Sequence, residues 1–116
     1  MSEGALALAI GSKALDGLSM RMSALAWNTA NVNSPNVRPL KVDFESALAR
    51  AAQSGVAAVE DLELTYSAGP PFAPGQDRRM DLLIADAAQT AMRYSALSDM
   101  LGRRLALASA AMGGQG

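Results

Sequence analysis

Apolar residues recur at both ends of the chain in alternating steps of three and four, and lose that rhythm in between. In the first third they fall at Leu15, Leu18, Met22 and Leu25, and the same steps run on through Thr29 to Val32. Such spacing turns successive side chains onto one face of an α-helix, which must then be buried on a partner. It predicts a helix from about Leu6 to about Ala30, with Gly11 and Gly17 as its weak points. The residue before Pro35 is pushed out of the helical region, and asparagine tolerates left-handed backbone, so the helix should close between Asn31 and Ser34.

The second pattern is longer. Met80, Ile84, Ala87, Ala91, Tyr94, Ser98, Leu101, Leu105, Ala108 and Met112 step by four and three without a break, with Ser98 as the polar member. Leu83 and Leu97 widen this stripe on one side. Asp77 can cap the start, Asp81 and Asp86 sit toward the positive end of the helix dipole, and Asp99 and Arg103 are spaced to pair. The closing "GGQG" ends the helix.

Between the two patterns the chain is irregular. "DFESALARAAQSG" reads as a short helix with Asp43 as N-cap and Gly55 beyond its end. "LELTY" alternates, placing Leu62, Leu64 and Tyr66 on one face of a short strand or extended arm. "GPPFAPG" can only be a loop. The fold expected is therefore mainly α: long N- and C-terminal helices packed as an antiparallel hairpin or coiled coil. The irregular middle segment forms its far end. One structural unit results, divided at residues 1–34, 35–76 and 77–116.

Composition narrows what such a fold can do. Half of the 116 residues are apolar, but many are alanine and only 4% are aromatic, so a lone molecule has a thin core. The outer faces also carry Ala88, Leu97, Ala106 and Leu107, which favours lateral packing in an oligomer over a monomeric hairpin. A net charge of −1 with interspersed signs offers no basic footprint for nucleic acid and no polybasic patch for a membrane surface. Neither cysteine nor histidine is present, which removes the usual thiol nucleophile, general base and metal ligands. The apolar run Ala5 to Ile10 is short for a signal peptide and lacks a basic leader, and no stretch is long enough to cross a bilayer.

Candidate chemistry is correspondingly sparse. Glu60, Asp61 and Glu63 lack the glycine turn and ligand spacing of a calcium loop and read as a solvated acidic turn. Ser12 and Lys13 point apart on a helix, and Arg78 and Arg79 read as a surface pair. No catalytic residue, cofactor site or metal site is expected, and no small-molecule substrate. "FESAL" is more informative, because Phe44 and Leu48 share one face of a short helix. That pair either docks the helix onto the body or inserts into a partner's groove.

A resemblance joins these features. Asn28-Thr29-Ala30-Asn31-Val32-Asn33-Ser34-Pro35 resembles the N-I-A-N-x-N/D-T-P-G-Y segment of bacterial flagellar axial proteins. The motif positions are Asn28, Ala30, Asn31, Asn33, Ser34 and Pro35, while Asn36 and Val37 stand where the family has Gly and Tyr. "MDLLIADAAQTAMRYSALSDMLGRRLALASAAM", with Arg93-Tyr94, Leu101 and Arg103-Arg104, is similar to the terminal helix of the proximal-rod type. A sibling proximal rod protein or a divergent axial paralogue is the alternative within the family. Outside it, a small helical adaptor or chaperone of a secretion system is the alternative.

The resemblance implies a structural subunit of the basal-body proximal rod that polymerises through its terminal helices. Its assembly seam would comprise the apolar positions Leu15 to Leu25 and Met80 to Met112 named above. The implied partners are other copies of itself, neighbouring rod subunits, a membrane-ring adaptor protein and the flagellar type III export gate. Direct membrane insertion is not implied. The implied location is the rod, crossing the periplasm after export without a cleavable signal. Export substrates of this class carry an F-x-x-x-aliphatic motif, which Phe44 and Leu48 match in form.

Overall fold

The computed structural model describes residues 3–71 and 78–113, residues 78 and 79 by their backbone alone. The Asp77 cap, most of "GPPFAPG", the Arg78–Arg79 pair and the terminal "GQG" lie outside the described residues. Two long helices dominate: α1, Glu3–Ala30, and α4, Arg78–Gly113. Between them come β1, Leu40–Lys41, α2, Glu45–Ser54, α3, Val56–Asp61, and β2, Ser67–Ala68. The molecule measures 63 × 26 × 14 Å, hardly thicker than one helix with its side chains.

α1 and α4 run antiparallel, since Gly11 lies against Leu101 while Leu25 and Asn28 share a cavity with Leu83 and Asp86. The expected mainly α hairpin of two long terminal helices with a short-element middle is what the chain forms. The middle, however, does not sit at the far end of the hairpin. It folds back along a second side of α1, so α1 lies between α4 and the segment 40–68.

The core explains why. Val42, Phe44, Leu48 and Val59 from the middle close on Leu18 and Ala24 of α1. Leu40, Val42 and Phe44 face the core and alternate with exposed Lys41 and Asp43 as an extended segment does, and Leu48 and Val59 continue the packing from α2 and α3. Each of the larger side chains contributes about 1.5–3 kcal/mol by leaving water. The glycines at 11 and 17 are therefore closest-approach positions as much as weak points. A methyl group at Gly17 would sit 2.5 Å from Cδ1 of Phe44, and one at Gly11 would sit 2.6 Å from Cδ2 of Leu101.

Two local expectations change and a third holds. α2 begins at Glu45 with Phe44, not Asp43, in the N-cap position, because a Glu45 Oε1 contact at 3.3 Å takes the Phe44 N–H. Asp43 instead faces Lys41 at 3.8 Å. Of the short strand or extended arm expected over 62–66, the strand falls instead at Ser67–Ala68, antiparallel to Leu40–Lys41, while Leu62 and Leu64 pack toward the core and Tyr66 is exposed. Gly55 does close α2, at φ +107° in the left-handed range where a side chain would be strained.

Candidate assembly surface

The turn after α1 is built by one side chain. Asn28 is 3% exposed, and its amide meets the backbone of Leu40 on both sides. Its Nδ2 donates to the Leu40 carbonyl at 2.9 Å, and its Oδ1 accepts from the Leu40 N–H at 2.7 Å. The amide thus stands in for a neighbouring strand on one edge of β1. On the next residue's edge, the Pro39 carbonyl accepts from the Gly69 N–H at 2.7 Å. α1 itself frays through Asn31, whose Nδ2 donates to the Trp27 carbonyl at 2.8 Å. Asn36 then takes φ +63°, a left-handed conformation that asparagine tolerates nearly as glycine does. The other motif residues, Ala30, Asn33, Ser34 and Pro35, line the turn without entering the core.

A second clamp holds the middle on α1. The Arg21 guanidinium binds both Glu45 carboxylate oxygens at 2.7 Å and also donates to the Val42 carbonyl at 2.6 and 3.2 Å. It lies over the Phe44 ring, 4.8 Å from its centre. The hydrogen bond from Arg21 holds the Glu45 carboxyl below its ordinary range, and the same bond raises Arg21 further above its own. Farther along α1, Lys13 Nζ donates to the carbonyls of Glu60 and Leu62 at 3.1 and 2.9 Å, closing the open end of α3. Sequence reasoning missed Arg21 and Lys13, since a cation's partners across the fold leave no local signal. Val42 did leave one, the alternation of Leu40, Val42 and Phe44.

The seam residues divide into two groups. On α1, Leu18 and Leu25 are buried and Leu15 and Met22 half-buried. On α4, Met80, Ala87, Tyr94 and Leu101 are half-buried. Their inward companions, though, are Leu83, Thr90 and Leu97, one position before Ile84, Ala91 and Ser98. The polar member buried on this helix is therefore Thr90, and Leu97 packs inward instead of facing out. Ile84, Ala91, Ser98, Leu105, Ala108 and Met112 are exposed.

The far end of α4 stands apart. Leu105, Ala108 and Met112 follow Leu101 by four, three and four residues, so they prolong its inward stripe. Yet every residue from Gly102 to Gly113 is exposed, Met112 at 77%. Phe44 and Leu48 are the opposite case: both are buried, at 5% and 6%, and neither is presented by the folded molecule. Among the described residues no group of His, Cys, Asp or Glu could hold a metal ion, and no helix is long and apolar enough to cross a membrane.

With this geometry in view, comparison with known proteins gives one informative likeness. A stretch of 37 residues is 54% identical to the flagellar basal body rod protein FlgB of Borrelia hermsii. Over that stretch the chain is a distant relative of a flagellar rod protein. The likeness takes in 32% of this chain and 27% of that protein. No protein-family model matches the chain. No solved structure matches it.

Proposed function

We propose that this chain is a structural subunit of the proximal rod of the bacterial flagellar basal body, or a paralogue within the axial family. It polymerises through its terminal helices and transmits torque from the membrane ring to the distal rod and hook. Its partners are further copies, neighbouring rod subunits and the membrane-ring adaptor. The likeness to a rod protein supports the family. The observation that carries the role is the apolar stripe of α4, which runs three turns past its cover on α1. An apolar helix face left in water is a surface for another chain. Many such small contacts, repeated along a shaft, make it stiff.

Phe44 and Leu48 are the export-gate motif in this reading. Folding buries both, so the gate meets them on a chain that has not yet folded. Fusing residues 1–50 to an unfolded reporter separates that role from stability. Phe44→Ala with Leu48→Ala should cut secretion of the fusion while its cytoplasmic level holds, and unchanged secretion removes the motif. The wider test is a clean deletion scored for motility and basal-body morphology. Normal swimming with intact rods would sink the proposal.

A further inference from the structure

Two surfaces on different sides of α1 carry opposite charge. The first is the outward stripe of α4, where Met92, Met100 and Leu107 are 72%, 65% and 71% exposed and are framed by Arg93, Arg103 and Arg104. At 100° per residue Met92, Met100, Leu107 and Arg103 turn away from the stripe that faces α1, while exposed Arg93 and Arg104 stand on the flank between the two. Asp99, bound to Arg103 at 2.9 Å, is the acid alongside them. The second surface is a shallow groove of about 430 Å³ between α1 and residues 62–64, with Met20, Leu62 and Leu64 as its apolar lining. Its rim holds Asp16 from α1, and exposed Glu60, Asp61 and Glu63 stand beside it. Residues 56–66 contain no Lys or Arg. The one cation of the groove, Lys13, is engaged by the carbonyls of Glu60 and Leu62.

We infer that the outward face of α4 docks into the α1/62–64 groove of a second copy of this chain, its arginines meeting the acidic rim and its methionines the apolar floor. A single molecule cannot satisfy both surfaces, because α1 stands between them. A contact between two different surfaces leaves a free one at each end, so it propagates instead of closing as a two-fold dimer. Methionine suits such a surface because its unbranched side chain adapts to a shallow groove. The inference deepens the proposed assembly role and supplies its lateral contact.

The test is sedimentation equilibrium of the purified chain across a range of concentrations, at about 50 mM and about 500 mM salt, where screening differs strongly. The average mass should climb with concentration at low salt and climb less at high salt. Arg93→Glu with Arg104→Glu should weaken association by at least about tenfold, as should Glu60→Lys with Glu63→Lys. Mixing the two variants restores complementary pairs and should restore association. All four positions are exposed, so helix content should stay unchanged by circular dichroism. A wild type that remains monomeric overturns the inference, as do reversals without effect or a mixture that stays monomeric. So does a monomer that instead binds phosphatidylserine vesicles through the same arginines. None of those results touches the rod reading, which stands or falls on the deletion phenotype.

Discussion

α1 and α4 are both long amphipathic helices, yet the chain uses them differently. α1 is covered on two sides: α4 lies on one, and β1, α2 and α3 lie on the other. Gly11, Gly17, Leu18, Ala24, Leu25 and Asn28 are all buried along it. On α4, longer by a full two turns, Leu83 and Thr90 are the buried residues among the described side chains. The contrast separates two tasks. The middle segment and α1 hold the subunit together, whereas most of α4 is surface that the subunit does not use for itself. Mutations should then divide by surface: stability losses on α1, the middle and the inward face of α4, assembly losses without stability loss on the exposed remainder of α4.

The largest expected effect tests the first half of that division. Phe44→Ala removes a buried ring over Gly17 and under Arg21, and should cost about 3–5 kcal/mol in chemical denaturation. Leu107→Ala, on the exposed face of α4, should change stability by no more than about 0.5 kcal/mol. Equal losses at the two sites would end the comparison. Asn28→Ala comes next. It strands the Leu40 N–H and carbonyl in a partly buried place, so a loss of about 1–3 kcal/mol is expected. A loss under about 0.5 kcal/mol would mean that water replaces the amide readily and that the clamp is dispensable.

Glycines sharpen the same contrast through sign. Gly17→Ala forces the Phe44 ring from its seat and should destabilise by about 1–3 kcal/mol. At Gly102, in the exposed part of α4, an added methyl group meets nothing within 4 Å. Gly102→Ala should therefore stabilise by about 0.5–1 kcal/mol through helix propensity alone. Thermal melts of the two variants should shift in opposite directions, and a shared direction would contradict the assignment of helix faces.

The sequence stated the helices plainly and their neighbours poorly. Steps of three and four marked both terminal helices, and Pro35 with its asparagines marked where α1 stops. What those steps left undetermined was the inward flank of α4. The sets 83/90/97 and 84/91/98 fit the period equally well and differ by one residue, about 100° of rotation. That choice is made by packing on α1, which buries Leu83 and Thr90 and leaves Ile84 and Ala91 exposed, and no local pattern reports it. The turn motif was legible as a helix end, but the work of Asn28 depends on a strand twelve residues later. The middle was underrated because its strand is two residues long and its core residues come from three different elements.

The smallest effect concerns the clamp that holds the middle to α1. Glu45 carries a depressed pKa because Arg21 hydrogen-bonds its carboxylate, with Asp43 adding a weaker attraction for the same arginine. A group whose pKa is lower in the folded state adds stability above its unfolded value. That contribution fades as pH falls through the depressed folded value. The loss should therefore begin at roughly pH 5 and deepen below pH 4, while neutral and mildly alkaline pH leave it intact. The Glu45 side chain is 56% exposed, so solvent screening limits the contribution to about 1 kcal/mol or less. Glu45→Gln keeps a hydrogen-bond acceptor but cannot titrate. Denaturation midpoints of the two proteins, compared from about pH 3 to about pH 7, should converge at the acid end and separate toward neutrality. A gap that stays constant across that range would show that the clamp holds through the Arg21 bonds to Val42 and its stacking on Phe44. The carboxylate would then be incidental to the packing of the middle segment on α1.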